Sequence, residues 1–226
     1  MRTDDMQTDE TLKGEAAMPD RQGPWRLFLL GCLFEGGLGL VACLVGWWCD
    51  YWPLETFSFT SVGIIWGILG TIPLLLALVL IDRYPLGPFV PLKRVVRETL
   101  LPMFQAFRLW QLLVLAIFAG AGEEILFRGL LQGGMFFWLK TLVAEHTAST
   151  TSLVIASLLF GLMHPITRTY AVICMLVGLY LGGIWMFTNN LFVPIFIHAL
   201  YDFLALVYLL RGAANRQSLR ETGAEN

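Results

Sequence analysis

The 226-residue chain is poor in charge: Asp, Glu, Lys and Arg make up 14% of it, against about 25% in a typical soluble domain. Hydrophobic residues account for 57%, so too few polar side chains remain to cover a water-soluble globule. The charged residues lie mostly outside long apolar runs. The composition excludes a disordered chain, a coiled coil and a nucleic-acid binder with a basic face. We therefore expect a polytopic membrane protein.

Several chemical motifs are missing as well. The four cysteines show no CxxC or metal-type spacing, and no disulfide framework is implied. The chain has no G-x-S-x-G nucleophile elbow and no Ser/His/Asp set in a suitable setting. It also shows no internal repeat, which disfavours a transporter built from two related halves.

Long apolar runs are what the chain does have. Residues 27–48 and 57–81 can each cross a core of about 30 Å as a helix, and lipid allows no other backbone form for a lone segment. Further runs follow at 109–142, 153–163, 169–187 and 191–210. Whether 109–142 is one helix or two joined at 120–122 stays open. The predicted fold is an all-α transmembrane bundle of six to eight helices around an interior polar cavity.

The polar segments divide the chain into four parts. We predict a flexible polar N-terminal tail at 1–24, two transmembrane helices with a surface connection at 25–104, a membrane core at 105–210 and a polar C-terminal tail at 211–226. The tail at 1–24 lacks the pattern of a signal peptide. The connection at 82–108 and the C-terminal tail are basic, which fits six spans with both termini in the cytoplasm.

A few polar residues interrupt the apolar runs. A charge at mid-membrane costs about 2.5–3.5 kcal/mol on insertion scales, so each such residue is a functional candidate. The candidates are Glu35, Glu123, Glu124, Arg128, His164, His198 and Asp202.

The first cluster is Glu123-Glu124-x-x-x-Arg128. Glu124 and Arg128 are four residues apart on one helix face and can form an ion pair. Glu123 points about 100° away, so one carboxylate is neutralised while the other stays free to act as a general base. A purely structural salt bridge is the alternative, but it leaves Glu123 without a partner.

Two further clusters each carry a histidine. In Phe160-x-x-x-His164 the ring of Phe160 can pack against His164, and Pro165 indicates a helix end; a packing histidine is the alternative. In His198-x-x-x-Asp202 the side chains face the same way and can hydrogen-bond each other, bind a metal or present polar groups to a substrate carbonyl; structural pairing is again the alternative. Glu35 has no sequence partner and either braces the site or sits near an interface.

Together these clusters contain the acidic residues and histidines that a hydrolase uses. They occupy three separate spans and must face the protein interior, because lipid does not tolerate them. A glutamate can draw a proton from water, a histidine can orient that water, and the remaining polar groups can hold an oxyanion.

The three motifs, in this order and on apolar segments, resemble those of the CAAX prenyl endopeptidase type II family. This is the CPBP group of intramembrane proteases, also called the ABI family, which includes bacteriocin-processing and immunity proteins. The resemblance covers roughly residues 105–210. It implies an all-helical membrane core around a cavity, in which a glutamate-activated water cleaves a peptide bond.

The resemblance also implies roles for the residues. Glu123 would be the general base and His164 would position the water. His198 and Asp202 would stabilise the oxyanion, with Glu124 and Arg128 in support. The family is often labelled metalloprotease, and Glu123, His164 and His198 are the candidate ligands if a metal binds. The favoured glutamate mechanism requires no cofactor, and zinc is the alternative.

Asp202 departs from the pattern of the prenyl endopeptidases, which typically have asparagine there. An amide donates a hydrogen bond to an oxyanion, whereas an ionised carboxylate repels it. Asp202 must therefore be protonated or act by orienting His198. Aspartate also occurs at this position among bacterial relatives.

We thus predict an intramembrane endopeptidase that acts on a membrane-anchored or prenylated protein or peptide. It would be a multi-pass protein of a bacterial plasma membrane, with the lipid bilayer as its surroundings and no nucleic-acid partner. Two alternatives from other classes are a non-catalytic immunity or scaffold protein of the same fold and an ion- or proton-coupled transporter.

Overall fold

The computed structural model describes residues 22–221. Within that range the chain is helical and contains no strand. The flexible tail predicted for 1–24 lies almost wholly outside the described residues, as do the last five positions of the predicted C-terminal tail.

The described residues form seven continuous helices joined by short connections. In chain order they are α1 (Gln22–Trp48), α2 (Ser61–Arg83), α3 (89–104), α4 (Leu109–Leu139), α5 (Glu145–Leu162), α6 (Arg168–Thr188) and α7 (Phe192–Glu221). The predicted all-helical bundle of six to eight helices is confirmed. Residues 211–221, assigned from sequence to the polar tail, continue α7 as helix.

Five of these helices are long and apolar enough to cross a membrane. They are Gly23–Trp48, Ser61–Arg83, Leu109–Leu139, Arg168–Thr188 and Phe192–Arg216. Their outer faces are apolar and exposed, as at Leu33 and Leu76, which suits contact with lipid. The fourth predicted span, 153–163, corresponds to the apolar second half of α5, whose first half is polar, and α5 is not among these five helices. The six-span topology with cytoplasmic termini stays a prediction.

Helix α4 is unbroken, which decides the question that the sequence left open at 120–122. It changes to π-helical winding over Ile125–Gly133, a form often found at functional sites.

Gly122 allows close packing between α4 and α1. A Cβ built on it would overlap the carbonyl oxygen of Glu35, so only glycine lets α1 approach α4 this closely.

Helix α4 lies at the centre of the bundle. It packs against α1, α5 and α7, while α5 packs on α6 and α2 packs on α7. Buried Phe127 and Phe160 join α4 to α5 with ring centroids 4.9 Å apart. The three polar motifs, on α4, at the end of α5 and on α7, are therefore brought to one interior region.

The helix ends follow local signals. Helix α5 ends at Leu162, three residues before Pro165, as predicted, so His164 lies in the connection to α6. The hydroxyl of Thr167 accepts from the backbone N–H of Tyr170 and caps α6. Helix α6 ends at Thr188, and its C-cap residue Asn189 has a left-handed φ of 46°.

Candidate active site

The two neighbouring glutamates of α4 have different surroundings. Glu124 is fully buried, and its Oε1 accepts a hydrogen bond from Arg128 Nη1 at 2.8 Å. Glu123 faces an interior cavity. The predicted ion pair and the predicted separation of the two carboxylates are both confirmed.

Arg128 is almost fully buried, with 1% of its surface exposed, and three neighbouring groups contact its guanidinium. Besides Glu124, its Nη2 donates to the backbone carbonyl of Gly178 at 3.0 Å. Its guanidinium carbon lies 4.6 Å from the ring centroid of Phe160, in a cation–π contact. This buried cation thus fixes α4 against both α5 and α6.

His198 on α7 is the third member of this buried network. Its Nδ1 lies 2.7 Å from Glu124 Oε1. An ionised carboxylate only accepts, so Nδ1 carries the hydrogen and donates it. Its Nε2 lies 3.5 Å from Asp202 Oδ2. Sequence reasoning missed the link between Glu124 and His198, because 74 residues separate them and no local spacing signals it.

His164 has a defined tautomer. Its Nδ1 lies 2.7 Å from the carbonyl oxygen of Phe160, and a carbonyl only accepts, so Nδ1 holds the hydrogen. In the neutral form of this ring Nε2 has a free lone pair, and Nε2 lies 3.7 Å from Glu123 Oε2. The predicted packing of Phe160 on His164 is confirmed, with ring centroids 4.8 Å apart.

A cavity of about 570 Å³ opens beside these groups. Glu123, His164 and Asp202 line it, whereas Glu124, Arg128 and His198 stand behind them. The other walls are mainly apolar and come from α1, α2, α3, α4, α6 and α7. The cavity is large enough for a peptide of a few residues.

Glu35 of α1 also belongs to this cavity. It lies within electrostatic range of Glu123, His164, His198 and Asp202. Its Oε2, like Glu123 Oε2, is buried and has no hydrogen-bond partner among the described residues. Of the two sequence interpretations, the structure favours the one that places Glu35 at the site; its lone charge in an apolar run was the signal.

The candidate metal ligands do not converge. Within residues 22–221 no three His, Cys, Asp or Glu side chains are arranged to hold a metal ion. Both ring nitrogens of His198 are directed at carboxylates, which leaves only Glu123 and His164 facing each other. These residues do not fit a protein-held metal, and no chemical step is drawn through one. That the reaction needs no cofactor stays a prediction.

Residues 105–204 match the family model described as Rce1-like, type II CAAX prenyl endopeptidase Rce1-like. No curated protein and no solved structure gives a significant match. The matched segment contains all three motifs, so the site described above lies inside it, while Glu35 lies outside it. The segment that holds the candidate active site of this membrane protein is therefore similar to the Rce1-like type II CAAX prenyl endopeptidase family.

Proposed function

We propose that this protein is an intramembrane endopeptidase that hydrolyses a peptide bond with a water activated by Glu123. The observation that carries the proposal is the pairing of Glu123 Oε2 with the free Nε2 of His164, 3.7 Å apart at the wall of an interior cavity. A direct hydrogen bond is shorter than this, and a water can contact both atoms at once.

Glu123 and His164 act on that water in different ways. His164 Nε2 has a lone pair and accepts one hydrogen bond, which orients the water. Glu123 takes the other proton as the water oxygen adds to the substrate carbonyl carbon. When the tetrahedral intermediate collapses, the C–N bond breaks and Glu123 passes its proton to the departing amine.

His198 and Asp202 stand where the oxyanion forms in this scheme. Glu124 holds Nδ1 of His198, so Nε2 is the nitrogen left to serve the reaction. The separation of 3.5 Å between Nε2 and Asp202 Oδ2 supports a role for Asp202 as the acceptor that orients His198. In this scheme both ring nitrogens of His198 carry a hydrogen, and the Nε2–H that Asp202 accepts before the reaction donates to the oxyanion as its negative charge develops.

Glu124 and Arg128 act through His198 in this proposal. Both are buried away from the cavity and are bonded to each other, and Glu124 holds the imidazole in one orientation. They are positioning residues, since neither lines the space in which a substrate would bind.

The cavity walls indicate the kind of substrate. They are mostly apolar and lie within helices of a membrane protein, which favours an apolar peptide that reaches the site from the bilayer. A membrane-anchored or prenylated protein or peptide meets that description. We place the protein in a bacterial plasma membrane as part of the same proposal.

The test uses the full chain in proteoliposomes with a panel of membrane-anchored and prenylated peptides, and mass spectrometry of the products. Glu123→Gln and His164→Gln should each lower the cleavage rate about 100-fold or more, with unchanged thermal unfolding. Glu145→Gln, at an exposed acid at the start of α5, is the matched control and should cleave normally. Full activity in Glu123→Gln overturns the mechanism. A wild type that cleaves no peptide favours the non-catalytic alternative.

A further inference from the structure

Glu35 lines the same cavity as Glu123, His164 and Asp202, but the mechanism above gives it no role. It lies on α1, outside the segment that matches the family model. Its Oε2 is buried and accepts no hydrogen bond from residues 22–221. A buried acceptor without a donor is costly. A substrate group that brings a donor to this oxygen would therefore be stabilised there.

The position of Glu35 is fixed by the crossing of α1 and α4. A Cβ built on Gly122 would overlap the backbone carbonyl oxygen of Glu35, and one built on Gly39 would lie 3.3 Å from the Cα of Gly122. The two helices are thus in backbone contact at the residue before Glu123. Of the ionisable groups around Glu35, Glu123 exerts the strongest electrostatic effect on it. The α1–α4 contact therefore brings Glu35 to the general base of the proposed reaction.

The other acidic and imidazole groups at this end of the cavity already have a partner or a role. Asp202 Oδ2 lies 3.5 Å from His198 Nε2. Glu123 and His164 hold the attacking water in the proposed mechanism. Glu35 is therefore the carboxyl group near the reacting centre that is left to accept from the substrate.

The scissile amide itself brings a donor to this region. In a trans peptide group the N–H and the C=O point in opposite directions. The carbonyl oxygen faces His198 of α7 in the proposed mechanism, so the N–H points away from His198. Its acceptor must then come from another element of the cavity wall, and α1 supplies one in Glu35.

We propose that Glu35 accepts a hydrogen bond from the N–H of the scissile amide and from the amine that this nitrogen becomes. The inference rests on the proposed function and adds a catalytic residue to it. When the tetrahedral intermediate collapses, the nitrogen takes one proton from Glu123 and then the electron pair of the C–N bond, while the oxyanion re-forms the carbonyl. Glu35 neither gains nor loses a proton in this step.

This hydrogen bond strengthens as the reaction proceeds. The nitrogen is neutral in the bound amide and carries a positive charge after it has taken the proton from Glu123. A carboxyl acceptor holds a charged N–H donor more strongly than a neutral one. Glu35 thus stabilises the breaking of the C–N bond more than it stabilises the bound substrate, which raises kcat.

The experiment compares an amide with an ester at the cleaved bond. The probes are one apolar prenylated peptide and its depsipeptide, in which an ester oxygen replaces the scissile N–H. The full chain in proteoliposomes is assayed under single-turnover conditions. Glu35→Ala should lower the rate on the amide about tenfold or more. It should leave the rate on the ester within about twofold of wild type, because an ester has no hydrogen to donate.

A second variant and two comparisons accompany Glu35→Ala. Glu35→Gln keeps an acceptor oxygen, so it should cleave the amide faster than Glu35→Ala does. Glu123→Gln should slow both probes, because both need an activated water. Glu55→Ala removes an exposed acid of the connection after α1 and should cleave both probes like wild type. Thermal unfolding by circular dichroism establishes that each variant is folded.

The two probes separate this inference from the proposed function. Equal losses on amide and ester in folded Glu35→Ala, or a wild-type rate on the amide, overturn the role of Glu35 and leave the protease standing. Equal rates of Glu35→Gln and Glu35→Ala on the amide also overturn it. Cleavage of neither probe by wild type overturns the proposed function and the role of Glu35 together.

Discussion

Glu124 Oε1 and His198 Nδ1 lie 2.7 Å apart and join α4 to α7 in the protein interior. The same oxygen accepts from Arg128 at 2.8 Å. One carboxylate atom therefore fixes both a buried cation and an imidazole whose other ring nitrogen lies near Asp202 at the cavity wall. Glu124 therefore orients Arg128 and His198. Glu123 is the glutamate of the motif that can contact water.

Replacing Glu124 with Gln should destabilise the fold by about 3–5 kcal/mol, because a buried Arg128 would lose its countercharge. Cleavage should fall as well, since a neutral amide oxygen holds His198 and Arg128 less strongly than the carboxylate does. Unfolding in detergent, followed by circular dichroism, measures the first effect. The control is Glu98→Gln, which removes an exposed partner of Arg94 on α3 and should change stability little. Wild-type stability in Glu124→Gln would contradict this assignment.

Local spacing accounts for the parts of the site that sequence reasoning predicted. Glu124 with Arg128, and Phe160 with His164, are four residues apart, and a helical turn brings such pairs together whatever the rest of the fold does. Apolar runs likewise predicted the helices, because a span must be helical to satisfy its backbone.

Local spacing could not predict contacts between segments that are far apart in the sequence. The bond between Glu124 and His198 and the place of Glu35 in the cavity depend on how α1, α4 and α7 pack. The ion pairs of Asp82 with Lys93 and Arg97 require α3 to fold back on the end of α2. A single sequence gives the residue types for these contacts but not which helices meet.

Because α1 packs closely on α4, replacing a glycine with alanine should destabilise the protein at Gly122 but not at Gly37. Gly122→Ala should destabilise the protein by about 1–3 kcal/mol, because the new Cβ overlaps the Glu35 carbonyl oxygen. It should also lower cleavage, since α1 carries Glu35 into the cavity. Gly37→Ala is the control, because a Cβ there has no neighbour within 4 Å. Equal melting temperatures for the two variants would show that α1 and α4 are not packed this tightly.

Asp202 offers a test of how the oxyanion is stabilised. If Asp202 orients His198 by accepting from Nε2, Asp202→Asn should keep kcat/KM within about tenfold of wild type, because the amide oxygen can still accept. Asp202→Ala removes the acceptor and should lower kcat/KM about 100-fold. Both variants should unfold like wild type, since Asp202 is partly exposed at the cavity. Equal losses in the two variants would mean that the charge itself is required.

Metal removal should leave cleavage unchanged. His198 is held by Glu124 at one nitrogen and faces Asp202 with the other, and Glu123 with His164 supplies only two ligands, whereas protein zinc sites use at least three. We expect the rate to stay within about twofold after dialysis against a chelator, with less than one-tenth equivalent of zinc by mass spectrometry of the purified protein. Stoichiometric zinc, with activity lost on chelation and restored by zinc, would contradict the glutamate mechanism and assign Glu123 and His164 to metal ligation.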